Sequence, residues 1–240
     1  RLVPSETWGS KFMVPADAEM LLEGVLLPNV REAEAPYGEW TGYFGPQKYG
    51  YVFEARALTY RKDAHFIGMN IGHRDAANLG GISKEGGVFN AIKKVVPTVQ
   101  AVHIPWSGMC RMIVYISIDQ KAEGEAAFAA FATFPLHDEI KIVVVVDKDI
   151  DPFSERDVWW AVSTRTQPSQ DIEIIKKARG GSLDPSQEHP QWGSKLFIDA
   201  TKPVDSIFSE RLSIAPEILA KMDPNKYVPA EVLSKLASAV

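Results

Sequence analysis

The pattern of hydrophobic residues changes near Gly80-Gly81, and this change limits the folds that the chain can adopt. From residue 11 to about 75, short segments rich in β-branched and aromatic residues alternate with turn formers, a pattern typical of antiparallel strands. The predicted strands are KFMVP, AEMLLEGVLL, YVFEARALTY and AHFIGMNIG, and the last two form a predicted hairpin around Lys62-Asp63. Such strands suggest part of a sandwich or barrel. Because three or four strands are too few to close one alone, we expect other strands to complete it.

After Gly80-Gly81, predicted helices and strands alternate, which indicates an α/β unit. A helix capped by Ser83 is followed by the strands VQAVHIP and RMIVYISID, a helix at 121–134 and the buried strand IKIVVVV. Asp151 is the predicted cap of the next helix, with Pro152 at its first position. Gly180-Gly181 is the predicted end of the regular structure of this unit.

The last part of the chain, from about residue 203 to 240, predicts two short helices. The second begins after Pro229 and presents Val232, Leu233 and Leu236 at helical spacing. Such a terminal amphipathic helix can dock on a neighbouring subunit or on its own domain, and the sequence leaves both open. The predicted division is therefore 1–80 for the β-rich part, 81–202 for the α/β domain and 203–240 for the helical tail.

Composition excludes several classes of partner. The formal net charge of -5 and the pI of about 5.6 argue against a nucleic-acid partner, which needs a basic surface. The apolar run at 140–146 is far shorter than the roughly 20 residues that span a bilayer, so no membrane is expected. Cys110 is the only cysteine and no secretory leader is recognisable, which favours the cytoplasm. The chain begins at Arg1 without a methionine, and we expect a fragment or a processed chain.

Other motifs in the sequence do not indicate a metal site, a hydrolase site or a phosphate site. The acidic DKDID at 147–151 could bind a divalent metal, but Lys148 interrupts it and Asp151 is accounted for as a cap. The five histidines never pair at metal-ligand spacing, so zinc is not indicated. The chain contains no G-x-S-x-G elbow and no phosphate-binding loop.

The segment EAPYGEWTGY at 34–43 places Glu34 and Glu39 on either side of a Pro-Tyr-Gly turn among aromatic residues. One interpretation is an ordinary exposed turn with two solvated charges. The other is a proton-transfer site, because apolar surroundings raise the pKa of a carboxyl group and let it deliver a proton near neutral pH. Tyr37 and Trp40 are either walls of such a site or ordinary core residues.

Four blocks in a fixed order resemble the UbiD family of reversible (de)carboxylases, which use prenylated FMN: VPADAEMLLEG at 14–24, EAPYGEWTGY at 34–43, VVVVDKDIDPFSERDVWWAVSTRTQPSQDI at 143–172 and GSKLFIDATKP at 193–203. The resemblance covers the second half of a typical member. It implies an α+β fold in which part of a split, flavin-binding β-barrel precedes an α/β domain and a C-terminal helical tail.

The resemblance also assigns roles to residues. Glu39 corresponds to the catalytic acid of the family, and Glu34 to the second carboxylate of a Glu-Arg-Glu network, with Ala35 in place of the usual glycine. The ligands of the flavin, of Mn²⁺ and of K⁺ belong to the first half of family members, so this chain is expected to contain no metal site. We assign neither Arg31 nor His73 as a substitute.

The resemblance implies a non-oxidative, reversible decarboxylation of an aromatic, heteroaromatic or α,β-unsaturated carboxylic acid, with CO₂ as the other product. Its expected partners are the N-terminal half of the same protein and further copies in a dimer or hexamer. The alternative is a non-catalytic assembly subunit or fragment of a (de)carboxylase complex. Sequence preceding Arg1 would distinguish the two.

Overall fold

The computed structural model describes residues 1–187, 189, 191–223, 226–230 and 232. Residues Arg1–Val204 form one compact unit, and Asp205–Val240 form a second. Helices and sheets are both present, which confirms the α+β class. None of the described helices is long and apolar enough to cross a membrane.

The first part of the larger unit consists of two antiparallel strand pairs. Strands β1 (Leu2–Ser5) and β2 (Gly9–Pro15) form one pair, and β3 (Met20–Glu34) and β4 (Lys48–Tyr60) form the other. Among the described residues, these strands do not close a barrel. Their assignment to a split barrel therefore stays a prediction.

The hairpin predicted around Lys62-Asp63 is wrong. Strand β4 pairs with β3 along its length, while residues 64–72 form no strand. The backbone N–H of His65 donates to the carboxylate of Glu19 at 2.9 Å, which ties residue 65 to the start of β3. Phe66 and Ile67 are consequently 80% and 81% exposed. The alternation of Ile67, Met69 and Ile71 resembles a strand, but no described element pairs with this segment.

Five strands form a mixed sheet in the order β5-β6-β7-β9-β8. Its three central strands, β6, β7 and β9, are parallel, and both edge strands run antiparallel to their neighbours. The strands are β5 (Val99–His103), β6 (Ile113–Ile118), β7 (Ile142–Asp147), β8 (Ile172–Arg179) and β9 (Trp192–Ala200). Strands β5, β6 and β7 confirm the predictions from the sequence. The expectation that regular structure ends at Gly180-Gly181 is wrong, because β9 returns to pair between β7 and β8.

Helices cover both faces of this sheet. Helices α1 (Arg74–Lys93) and α2 (Glu125–Thr133) pack on one face, and α3 (Glu155–Arg165) packs on the other. Along β7, Val143 and Val145 belong to the first core and Val144 and Val146 to the second. Since neighbouring side chains of a strand point to opposite faces, a continuous apolar run is what a strand with two covered faces requires.

Helix α1 begins earlier than predicted. Its first residue is Arg74, and Ser83 lies inside it, where its hydroxyl donates to the carbonyl of Gly80 at 3.1 Å. The prediction of Ser83 as the cap is therefore wrong. Serine can bond to a preceding carbonyl within a helix as well as cap one. The boundary predicted at residues 80 and 81 lies within this helix.

The start of α3 also differs from the prediction. Its cap is Ser154, whose hydroxyl accepts a hydrogen bond from the N–H of Asp157 at 3.3 Å. Asp151, predicted as the cap, instead accepts from the N–H of Phe153 at 2.9 Å. Its carboxylate thus organises the turn that leads into the helix.

The second unit contains helix α4 (Pro216–Leu219). Its described apolar residues are mostly exposed, and Ile207 and Leu212 are almost completely so, at 103% and 98%. The predicted helix after Pro229 falls largely outside the described residues, as do Leu233 and Leu236.

Candidate functional site

The segment between β3 and β4 is a compact turn that fixes the backbone of Glu39. The N–H of Glu39 donates to the carbonyl of Tyr43 at 2.9 Å, and its own carbonyl accepts from the N–H of Gly42 at 3.0 Å. A further hydrogen bond of 3.0 Å joins the N–H of Gly45 to the carbonyl of Tyr37. Glu39 is therefore held by backbone bonds on both sides.

The side chain of Glu39 is half-buried and lies over the bare Cα of Gly45. A Cβ on Gly45 would be 3.1 Å from both Cγ and Oε1 of Glu39. Gly72, at φ +73, packs against the same turn, where a Cβ would be 3.3 Å from the Cα of Gly42. The turn that carries Glu39 thus rests on the segment leading into α1.

Glu34 ends β3 and lies opposite Lys48 in the strand register. Its Oε2 is 3.8 Å from the Nζ of Lys48, and both side chains are partly exposed. Within the described part of the chain, Glu34 and Glu39 share no hydrogen bond. The two carboxylates are therefore oriented by different neighbours.

The two aromatic residues proposed for the site have different surroundings. Tyr37 is 44% exposed and does not belong to the core of the described chain. Trp40 is half-buried, and the Cζ of Arg111 lies 5.1 Å from its ring centroid. This distance is within the range of cation–π contacts. Arg111 was not identified from the sequence, because only the tertiary fold brings it to the acidic turn.

Arg31 and His73, which were not assigned as substitutes for missing family residues, have local contacts. The guanidinium of Arg31 stacks on Tyr51, with Cζ 3.4 Å from the ring centroid. His73 precedes α1, and its Nδ1 is 3.3 Å from a carboxylate oxygen of Asp75. Both contacts account for these side chains without a role in the candidate site.

The acidic DKDID segment forms a buried ion-pair network. The side chain of Arg165 is 2% exposed and donates to Asp147 at 2.6 Å and to Asp149 at 2.9 and 2.8 Å. The backbone N–H of Lys202 donates to the same Asp147 oxygen that Arg165 contacts, at 2.9 Å. These bonds join the end of β7 to α3 and to the residues after β9, which indicates a structural role.

A second polar pair lies near α1. The Nδ1 of His103 is 2.8 Å from Oε1 of Glu85, which also accepts from the N–H of Ile104 at 2.9 Å. Burial raises the pKa of the nearby Cys110 thiol, and the charge of Glu85 raises it further. Cys110 is therefore a poor nucleophile. No group of three or more potential metal ligands occurs among the described residues.

Comparison with known families identifies both parts of the larger unit. The model of the Rift-related domain of 3-octaprenyl-4-hydroxybenzoate carboxy-lyase (UbiD) matches residues 1–74. The model of the C-terminal domain of the same enzyme matches residues 77–200. The chain belongs to the UbiD carboxy-lyase family.

The relatives of this chain include decarboxylases that are named for different substrates. The chain is 33% identical to an anhydromevalonate phosphate decarboxylase of Methanothermobacter thermautotrophicus, over 79% of this chain and 45% of that protein. It is 31% identical to a phenolic acid decarboxylase of Sedimentibacter hydroxybenzoicus, over 80% of this chain and 40% of the relative.

UbiD-class structures share the fold. The enzyme HmfF from Pelotomaculum thermopropionicum, solved in complex with FMN, matches with a TM-score of 0.84 and 41% identity over 95% of this chain and 50% of that one. The 3,4-dihydroxybenzoic acid decarboxylase of Klebsiella pneumoniae matches with a TM-score of 0.79 and 27% identity, again over 95% and 50%. The chain spans about half the length of these relatives.

Proposed function

We propose that the protein to which this chain belongs decarboxylates an aromatic, heteroaromatic or α,β-unsaturated carboxylic acid with prenylated FMN, and that Glu39 is the proton donor. The observation that carries the proposal is the half-buried Glu39, fixed by backbone hydrogen bonds in a turn that packs against the start of α1. Family membership and a relative solved with the prenylated cofactor support the choice of reaction.

The described residues fit the cofactor only in part. The β3–β4 hairpin exposes a row of apolar and aromatic side chains suited to cover a planar ring system or further strands: Leu22, Leu26, Tyr49, Tyr51, Phe53 and Leu58. Among the described residues, no cluster of carboxylates and histidines is suited to hold Mn²⁺. The family resemblance assigns binding of the cofactor phosphate, Mn²⁺ and K⁺ to the first half of family members.

The chemistry divides between cofactor and protein. Loss of CO₂ breaks a carbon–carbon bond and leaves an electron pair on the substrate carbon, and the bound cofactor supplies the electron sink that no side chain offers. Glu39 then delivers a proton to that carbon, which replaces the lost carboxyl group. Glu34, held near Lys48, orients and tunes the site. Tyr37 and Trp40 limit access of water.

The proposed substrate is a class of carboxylic acids. One relative is named for a phosphate-bearing acid and another for a phenolic acid, so the names do not select one substrate within this class. The reverse reaction, carboxylation, uses the same residues and differs in the position of equilibrium.

A non-catalytic assembly role is the alternative function. The exposed apolar residues of the second unit favour it, because such residues are commonly covered by another subunit. In that case, the protein would bind its partners without releasing CO₂.

The proposed function is tested with the full-length protein, purified with prenylated FMN and Mn²⁺ and supplied with a panel of aromatic and α,β-unsaturated acids. We expect a flavin spectrum and CO₂ release from at least one acid. A full-length protein that holds the cofactor and releases no CO₂ from any acid of these classes would contradict the proposal and favour the assembly role.

A further inference from the structure

The side chain of Arg111 has an unusual environment beside the acidic turn. Its guanidinium lies near the ring of Trp40 and over the bare Cα of Gly80, where a Cβ would be 3.2 Å from Nη2. Its Nε is buried and has no hydrogen-bond partner. Within the described part of the chain, the guanidinium forms no ion pair. A guanidinium without a carboxylate partner beside a candidate site is suited to bind an anion through its terminal nitrogens.

The backbone before Arg111 adopts a conformation that L-amino acids rarely take. Met109 and Cys110 have φ values of 55 and 53, and neither is glycine. Such residues cost free energy and are concentrated at functional sites, where they direct a neighbouring side chain. Arg111 directly follows Cys110, and β6 begins two residues later and anchors the segment in the sheet.

Within the described part of the chain, three acidic residues near the turn and near α1 do not form an ion pair with Arg111. Glu85 is engaged with His103 and with the N–H of Ile104. Glu39 and Glu34 are not within ion-pair distance of Arg111. The charge also acts on its surroundings, because burial first, then Lys84 and Arg111, lower the pKa of His137.

From this geometry, we propose that Arg111 binds a second anionic group of the substrate, a carboxylate or a phosphate, located away from the carboxylate that is lost. The inference rests on the proposed function, since Glu39 defines where the bond breaks. A positive charge paired with Glu39 would favour its ionised form and so oppose proton delivery. Arg111 lies near Trp40 instead, which leaves Glu39 available to deliver the proton and Arg111 available to bind an anion. The preferred substrate thus carries two anionic groups, and Arg111 determines specificity for the second.

The test measures binding to the full-length protein loaded with prenylated FMN. Three probes are compared by calorimetry: terephthalate, 4-phosphonooxybenzoate and monomethyl terephthalate, which share a benzoate but differ in the group at the far end. We expect the wild type to bind at least one of the two probes with a second anionic group about 10- to 100-fold more tightly than the monoester, the range for hydrogen bonds to a charged group. Whichever of these two probes is preferred identifies the second group as carboxylate or phosphate.

Two variants assign this preference to Arg111. Arg111→Met should bring the affinity ratio of the preferred probe to the monoester close to one while monoester affinity stays within about threefold, since the charge-assisted bonds are removed and the hydrophobic stem is kept. Arg156→Met, in the exposed part of α3, should keep the wild-type ratio. If Arg111→Met does not fold, Arg111→Lys should show an intermediate ratio, because a lysine keeps the charge but loses the planar fork.

A wild-type ratio near one, or an Arg111 variant with the wild-type ratio, would overturn the inference. CO₂ release from the same samples reports on the proposed function separately. Release from monoacids without any preference for a second anionic group contradicts only the role of Arg111. If the protein holds the cofactor but releases CO₂ from none of the acids, the decarboxylase function itself is contradicted.

Discussion

At the scale of single residues, the position of Glu39 depends on the absence of a side chain at Gly45. A Cβ in Gly45→Ala would lie 3.1 Å from Oε1 of Glu39 and would displace the carboxylate by a few tenths of an ångström. Since a misplacement of 1 Å can cost about 100-fold, we expect turnover by the full-length protein to fall about tenfold. Gly86→Ala is the matched control, because nothing lies within 4 Å of its new Cβ. Equal turnover in the two variants would contradict the placement of Glu39.

Glu34 should affect turnover less strongly than Glu39. In Glu34→Gln, the carboxylate that lies 3.8 Å from Lys48 becomes a neutral amide of the same size, so its proposed part in orienting the site is weakened. We expect turnover by the full-length protein to fall, but by less than in Glu39→Gln. Turnover equal to that of the wild type would show that Glu34 does not orient the site.

The sequence proposes Glu34 and Glu39 because an acid-turn-acid motif is local and its chemistry can be judged from residue types, and their catalytic roles stay a prediction. It did not identify Arg111. The contact of Arg111 with Trp40 joins residues far apart in the chain, and the positive φ values before it occur at Met109 and Cys110, which carry no glycine-like signal. Residues positioned by tertiary contacts and strained backbone leave little trace in a single sequence.

At the scale of elements, the network around Arg165 determines how α3 joins the sheet. Arg165→Met leaves Asp147 without its buried cation, and removing one partner of a buried ion pair costs about 3–5 kcal/mol. We expect a loss of this size in the free energy of unfolding, measured with urea. Arg156→Met on the same helix should change it by less than about 0.5 kcal/mol. A small effect of Arg165→Met would mean that the network does not hold the helix.

The same network should affect stability in acid. The hydrogen bonds from Arg165 hold the pKa of Asp149 below its ordinary value of 3.8, despite the opposing effect of burial. A lowered carboxyl pKa stabilises the fold above the unfolded pKa, and this stabilisation is lost as the pH falls through the folded value. Arg165→Met should therefore lose less stability than the wild type as the pH falls below about 4. Parallel pH dependences would contradict this assignment.

Elements differ in how readily the sequence predicts them. Strand β7 was recognised because both of its faces are buried and its residues form an unbroken apolar run. Strand β9 is not predicted from the sequence. It lies inside the sheet but contains the buried Lys195, and a lysine interrupts the apolar run that is expected of an interior strand. Its ammonium donates to the carbonyls of Asp138, at 3.0 Å, and of Ile140. These bonds compensate the buried charge, and only the folded chain shows them.

At the scale of the whole molecule, the family resemblance implies that the phosphate and metal contacts of the cofactor belong to the first half of family members. We therefore expect the 240-residue chain alone to bind prenylated FMN at least about 100-fold more weakly than the full-length protein. Titration of both proteins in the presence of Mn²⁺ measures the difference. Equally tight binding by the isolated chain would show that it contains a complete cofactor site.

The second unit bears on assembly. Ile207, Leu212 and Ile218 are exposed, and a four-residue helix such as α4 is not stable without packing partners. If another subunit covers them, a stable contact would bury roughly 1,200 Å² or more. We expect removal of residues after Val204 from the full-length protein to shift it toward monomer in light scattering. An unchanged mass would mean that these residues pack on their own subunit.

The most direct test of the account is the rate of decarboxylation by Glu39→Gln in the full-length protein with bound prenylated FMN. Glutamine keeps the size and the backbone hydrogen bonds of Glu39 but cannot donate the proton, and loss of a positioned acid commonly costs about 10²- to 10⁴-fold. Glu54→Gln, at an exposed glutamate paired with Arg56, is the control and should keep wild-type activity. We expect Glu39→Gln to keep the flavin spectrum and lose most CO₂ release. Near-normal release by this variant would contradict the central claim.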